Sequence, residues 1–240
     1  MNKIEQLKEL KGLLDLGAIN QKEFEQMKAE VLGSTDVVPD KETIPDNFRT
    51  TNKIGFQIWM AENLNVSVFR NGDPITEAKT DAEWIAAGTN GKPVWCYHED
   101  NRNNEKLFGK LYNGFALDDP RGLAPEGWHI PSDEEWNILI KIHGGEEIAA
   151  KNMKSTKGWE DDEDGNSGNG TNELGFDALP GGYRDFRSFF RPIGEYTGFW
   201  VANDDDDEFI QRINLYNSVN EGSIEPGQKP SGFYVRCIKG

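Results

Sequence analysis

The sequence predicts an α+β fold with long irregular loops, preceded by a small α-hairpin. Three observations predict it. The 240 residues carry 13 Phe, 7 Trp and 6 Tyr together with 26 Gly, so large rings bury much area while the backbone turns often and tightly. Helical periodicity fades beyond about residue 155. Short aromatic runs of strand character follow it. Helices early and strands late is an α+β order, and nothing repeats at a solenoid period.

Residues 1–32 read as two short helices. Ile4, Leu7, Leu10 and Leu14 recur at helical spacing, and Gly17 stops the first helix. Asn20 with Glu23 is a capping-box-like start for the second. Phe24, Met27 and Val31 form its apolar stripe, and Gly33 ends it. So small a pair cannot bury its stripe alone. It is expected to pack on a partner, on another copy or on the main domain, which makes residues 1–32 a self-association or docking element. Residues 33–48, GSTDVVPDKETIPDNF, are polar and proline-containing and read as a linker.

One larger domain is expected over 49–240. IGFQIWMAENL (54–64) reads as a strand running into a turn. Thr80 and Glu83 form a capping box leading into Trp84, Ile85 and Ala86, with Gly88 as the stop. PVWCYH (93–98) is β-prone, and LFGKLYNGFAL (107–117) suggests strand structure. Ser132 caps a clear helix with Glu135 reaching back. Trp136, Leu139, Ile140 and His143 line one face of it, and Gly144-Gly145 closes it. Residues 158–175 are an acidic, Gly/Asn-rich loop. The runs FDALPGGYR, TGFWVAN, FIQRINLYN and GFYVRCIKG then read as short strands.

The net charge of −16 repels phosphate backbones and anionic lipid, which argues against nucleic acid and membrane surfaces as partners. No run reaches the roughly 18–20 apolar residues that span a bilayer. The start MNKIEQLKEL lacks an apolar h-region, so no secretory signal is read. A cytoplasmic chain is expected, or one that leaves by a route without a cleaved signal. Cys96 and Cys237 are too few for a disulfide scaffold or a typical structural zinc site. Both sit in core-strand contexts, as two small buried hydrophobes or as a pair. His98, His129 and His143 are dispersed. No nucleophile elbow, P-loop or dinucleotide fingerprint is present, so the chain is expected not to be an enzyme.

Several phrases stand together in the main domain: IGFQIWMAENL, PVWCYHEDN, FGKLYNGFAL, DPRGLAPEGWHIPSDEEW, LGFDALPGGYR and the terminal GFYVRCIKG. In order and spacing they resemble the Fibrobacter succinogenes major paralogous domain over 49–240. That resemblance implies a C-type-lectin-like fold, similar in layout to the formylglycine-generating enzymes. It implies a core of Trp59, Trp95, Trp128, Trp136, Phe176, Tyr183, Trp200 and Phe233. It also implies kinship with the variable proteins of diversity-generating retroelements, whose ligand-binding face precedes a terminal GF-x-VRC. Display at a cell surface or on a phage is the matching alternative location. Separately, Leu14, Gly17, Ile19, Asn20, Glu23, Phe24, Lys28 and Leu32 resemble the SHOCT module, which implies oligomerisation or docking.

Two constellations follow. In 185–231, Asp185, Arg187, Phe189, Arg191, Tyr196, Asn203, Asn214, Tyr216, Asn217 and Asn220 mix aromatic contact area with adaptable hydrogen bonding. That composition is a paratope's, and the ligand is a protein or a glycan. The bland alternative is ordinary loop and strand surface. The acidic runs are the other constellation. Glu160, Asp162, Asp164 and Gly165 match an EF-hand's first positions, but Thr171 stands where its bidentate carboxylate belongs. No cofactor is certain. A looser calcium site using Asp162 and Asp164, or Asp204 and Asp206, competes with plain solvated loops. The tripeptides that bind sugar in calcium-dependent lectins are absent. The remaining alternatives are an oxidase of the formylglycine-generating type and an assembly scaffold without a small ligand.

Overall fold

The computed structural model describes residues 3–15, 19, 24, 28, 31, 51–202, 209–220 and 222–240. Within them the chain is mixed α+β, with helices, short 3-10 turns and three sheets. No helix among the described residues is long and apolar enough to cross a membrane.

Helix α1, Lys3–Asp15, buries Leu10 and Leu13. Together with Ile19 they pack on Ile138 and Ile142 of the main domain, beside Phe24 and Phe56. Of the three expected partners for the hairpin's stripe, the main domain is the one that covers these residues. Phe24, Lys28 and Val31 are helical, with Lys28 Nζ 5.5 Å from the Phe24 ring. Gly17, Asn20, Glu23, Gly33 and the linker lie outside the described residues.

The single strand expected at 54–64 is the second half of a hairpin. β1 (Thr51–Ile54) and β2 (Gln57–Met60) pair antiparallel, with Ile54 opposite Gln57. Gly55 turns the chain at a φ of 58°, a conformation that glycine adopts without a Cβ penalty. A four-stranded sheet runs β1, β2, β13 (Ile238–Lys239), β6 (Trp128–His129), so the domain's two ends meet side by side. A six-stranded sheet runs β3 (Thr76–Glu77), β4 (Val94–Cys96), β5 (Leu111–Asn113), β12 (Gly232–Phe233), β7 (Tyr183–Arg184), β8 (Phe190–Arg191). The third sheet runs β11 (Ser223–Gln228), β10 (Phe209–Tyr216), β9 (Tyr196–Trp200).

Helix α2, Asp81–Thr89, begins at Thr80, whose Oγ1 accepts the Glu83 N–H at 3.2 Å. Gly88 does not stop it. It lies inside the helix, where an added Cβ would stand 2.9 Å from Pro230 Cβ. Close packing explains that glycine. The expected strand at 107–117 shrinks to β5, flanked by α3 (Glu105–Phe108) and α4 (Gly114–Leu117). Helix α5, Asp133–Ile142, has the full capping box: Glu135 N–H donates to Ser132 Oγ at 3.3 Å, and Ser132 N–H donates to Glu135 Oε2 at 2.8 Å. After Gly144-Gly145 comes α6, Glu146–Met153, which the sequence reading passed over. Its buried face of Ala149, Ala150, Asn152 and Met153 is too small and polar to show as an apolar stripe.

Two aromatic clusters fill the interior. Trp59, Trp136, Phe176 and Phe199 meet in one, with ring centroids 4.8–5.8 Å apart. Seven of the eight expected core rings are at most 5% exposed, and Tyr183 is half-buried. Cys96 and Cys237 are free, buried thiols in different clusters.

His143 sits at the C-terminus of α5, 1% exposed, with neither ring nitrogen hydrogen-bonded. Burial pushes its imidazole down to about 4. The unfolded chain takes up this proton near its ordinary 6.5, whereas the folded chain resists until about 4. The stability present at neutral pH is therefore lost as pH falls from 6.5 towards 4. Replacing His143 by Leu is expected to shrink the loss of unfolding free energy between pH 7 and 4.5 by about 2 kcal/mol. Urea titrations at the two pH values measure it. An unchanged pH slope would show that another group carries the acid sensitivity.

Candidate functional site

The late strands present one braced turn and two clefts on a common face. The turn joins β7 to β8, with Tyr183 opposite Arg191 and Arg184 opposite Phe190. Asp185 organises it. Its Oδ1 accepts the N–H groups of Arg187 and Phe189 at 2.9 and 3.0 Å, and its own N–H donates to Phe189 O at 2.8 Å. Ser188 closes the turn at a φ of 78°, a costly conformation for a residue with a Cβ. It is held there by its hydroxyl, 2.7 Å from Asp81 Oδ1 and 2.8 Å from Arg184 Nη2.

Arg184 is the bolt beneath the turn. It is fully buried, with Nη2 2.6 Å from Asp81 and Nη1 3.1 Å from Asp100. Its guanidinium lies 4.8 Å from the Trp84 ring and 4.5 Å from the Phe190 ring. The hydrogen bonds from Ser188 and Arg184 hold the Asp81 carboxyl below its ordinary range. His98 fixes the far strand through Nε2, 2.7 Å from Arg191 O. With its backbone so held, the turn projects Phe186 and Phe189 outward at 45% and 64% exposure. The Arg187 guanidinium stands 5.3 and 5.7 Å from their rings.

Tyr183 and Arg191 separate two clefts. The larger, about 720 Å³, has Tyr183, Tyr196 and Tyr216 along its floor and Glu160–Asp164, Glu195 and Asn217 at its rim. The three rings follow one another at 4.5 and 4.8 Å. Lys154, buried beneath, donates from Nζ to Tyr216 O at 2.8 Å and so fixes the strand end that forms the rim. Burial pushes that ammonium down to about 8. The smaller cleft, about 360 Å³, gathers Arg187, Arg191 and Arg212 with Asp185, Phe186 and Phe233.

The residues matching the family description Fibrobacter succinogenes major domain are 53–239. The chain belongs to this family. No curated protein and no solved structure matches the chain. In this Fibrobacter succinogenes major domain, the matched span runs from β1 to β13, and the sheet pairing joins its two ends. Residues 1–32 lie outside the match.

Within this family member the expected binding residues divide. Asp185, Arg187, Phe189, Arg191, Tyr216 and Asn217 come together around the two clefts and the turn. Tyr196 and Asn214 do not present exposed contacts as expected. They are 5% and 1% exposed, facing each other across β9 and β10 with the Tyr196 hydroxyl on Asn214 Oδ1. Arg212 Nη1 donates to both, at 2.9 and 3.1 Å, so their polar atoms are satisfied internally. Tyr196 still lines the larger cleft. Asn220 is exposed but lines neither cleft. Asn203, Asp204 and Asp206 lie outside the described residues.

The expected calcium ligands fare differently from an ion site. Asp162 spends its carboxylate on its own loop, accepting from Asp164 N at 3.0 Å and from Asn166 N at 2.7 Å. Among the described residues no group of three or more His, Cys, Asp or Glu side chains is arranged to hold a metal ion. Sequence reasoning missed Arg212 and Glu195. Period-two alternation in FIQRINLY would have found the first, because it puts Arg212 on the face of Asn214 and Tyr216.

Proposed function

We propose that this Fibrobacter succinogenes major domain is a non-catalytic ligand-binding protein. Its recognition face is the 185–189 turn with the two clefts beside it, and its ligand is a protein or a glycan. One observation carries the reading: Phe186 and Phe189 stay exposed on a turn whose backbone is over-determined by Asp185, Ser188 and Arg184. Rigid aromatics around an arginine are the anchors of binding hot spots. Holding them ordered in advance lowers the entropy cost of association. A C-type-lectin-like scaffold of the retroelement variable-protein type suits this division into a packed ring core and an outward face.

The test is a glycan array and a random-peptide display library, each probed with the wild-type chain and a Phe186→Ala, Arg187→Ala, Phe189→Ala variant. Ligands selected by the wild type are expected to bind the variant roughly tenfold or more weakly. Thermal stability should change little, because these side chains are exposed. A variant that keeps every ligand, or a wild type that selects none, sinks the reading. The variable-protein part expects a reverse transcriptase gene and a near-duplicate of the 185–237 coding segment in the adjoining DNA.

The thiols argue against the oxidase alternative. A reactive cysteine needs exposure and a stabilised thiolate. Burial pushes the Cys96 thiol up to about 12 and the Cys237 thiol upward as well. Neither is expected to react with a thiol-exchange reagent until the chain unfolds. Rapid native labelling of either would revive the oxidase alternative.

A further inference from the structure

We propose that the smaller cleft is a subsite for a singly charged carboxylate carried on an apolar body. It rests on the reading of this face as a recognition surface and specifies what one part of it accepts. Arg187, Arg191 and Arg212 all line the cleft. Asp185 is the carboxylate among them, and it is already committed. Its Oδ1 takes two backbone N–H groups, while Oδ2 stands 3.3 Å from Arg187 Nη2 and 3.8 Å from Arg191 Nη2. Two guanidiniums thus share one carboxylate oxygen, and the planar fork of each retains donors for a second acceptor.

Arg212 is preorganised differently. Nη1 is bonded to the Tyr196 hydroxyl and to Asn214 Oδ1, and Nε lies 3.3 Å from Pro226 O. Nη2 stands 3.6 Å from Glu225. Its guanidinium rests 4.8 Å from the Phe233 ring. It supplies a fixed positive wall and needs no rearrangement to do so. Three guanidiniums against the carboxylates of Asp185 and Glu225 leave one positive charge. That balance suits a monoanion better than a phosphate dianion. It is a small positive cluster on a chain of net charge −16.

The walls choose the rest of the ligand. Phe186, Tyr183, Pro226 and Phe233 line the same cleft, and Tyr183 stacks on Phe233 at 4.8 Å. Phe233 is 1% exposed beneath that stack, so an aromatic or aliphatic body lies against the exposed Phe186 and Pro226. Across Tyr183, Glu195 and the 160–164 carboxylates rim the larger cleft. They repel a second negative charge placed on that side and orient the ligand's carboxylate towards the arginines.

The experiment follows the arginine Nε–Hε signals of the full chain by NMR. The probes are N-acetyl-phenylalanine, its neutral amide and inorganic phosphate, at constant ionic strength. The acid is expected to shift the Arg187 and Arg191 signals saturably. The amide should bind roughly tenfold or more weakly, and phosphate more weakly than the acid. Arg102, whose side chain is 82% exposed beside Glu105, should show no saturable shift. Read on the Nε–Hε signal of Arg212, which lines the same cleft, an Arg187→Gln, Arg191→Gln variant should lose the saturable response. Arg191→Lys should recover only part of it, since a point charge replaces a fork.

Equal binding of acid and amide overturns the proposal, because charge is then not read. Tighter binding of phosphate overturns the charge class. No saturable shift at tens of millimolar acid overturns the subsite itself. In each case, ligands still lost by the Phe186, Arg187, Phe189 variant leave the recognition face standing. Failure of both experiments removes the face as well.

Discussion

Replacing Arg184 by Met is expected to lower the unfolding free energy by about 3 kcal/mol, the low end of what breaking a buried ion pair costs. The reason lies in what is left behind. Arg184 is fully buried and meets Asp81, Asp100 and Ser188 at once. The Asp81 side chain is 72% exposed, so water screens that arm and it contributes little. The cost falls on Asp100, whose side chain is only 28% exposed, and on Ser188, which keeps its left-handed backbone with Asp81 alone to hold its hydroxyl. Asp81→Asn should accordingly cost under about 1 kcal/mol. Arg184→Met should also loosen the turn, so that Phe186 and Phe189 lose their fixed presentation and selected ligands dissociate faster. Urea unfolding of both variants decides the matter. A loss below that of Asp81→Asn would show that the bolt is not Arg184.

Much of this was readable where the signal is local. The Ser132–Glu135 capping box and the Trp136, Leu139, Ile140 stripe lie within one helix of sequence, and α5 stands as expected. The ring core was readable from composition together with the family phrases. What the sequence hid are contacts made across the chain. Arg184 meets Asp81 and Asp100 from 103 and 84 residues away, and nothing in GGYR announces a buried charge. Strand β11 was hidden by its own residues. Pro226 and Gly227 interrupt any strand pattern, yet β11 is an edge strand, where a missing N–H is tolerated. Tyr196 and Asn214 misled for the opposite reason. Polar side chains read as surface until a partner is found for each atom, and here Arg212 supplies it. The turn was half legible: Asp185, Arg187 and Phe189 were recognisable as binding types, but their rigidity depends on Ser188 and on the distant Asp81.

Trp136 carries the other large expected effect. Its ring is fully buried, 4.8 Å from Trp59, 5.7 Å from Phe176 and 5.8 Å from Phe199. Trp136→Ala opens a cavity where four rings meet and should cost about 3–5 kcal/mol, a large share of the roughly 5–15 kcal/mol that holds a domain together. Trp136→Phe should cost much less. The indole Nε1 of Trp136 is buried without a hydrogen-bond partner, so a phenyl ring removes an unsatisfied donor along with the lost area. Trp59 offers the contrast. Its Nε1 donates to Gln57 Oε1 at 3.1 Å, and Gln57 in turn donates to Glu135 O at 2.9 Å. Trp59→Phe therefore strands the Gln57 carbonyl and should cost about 1 kcal/mol more than Trp136→Phe. Equal costs for the two phenylalanine variants in urea unfolding would mean that the Trp136 nitrogen finds a partner in solution.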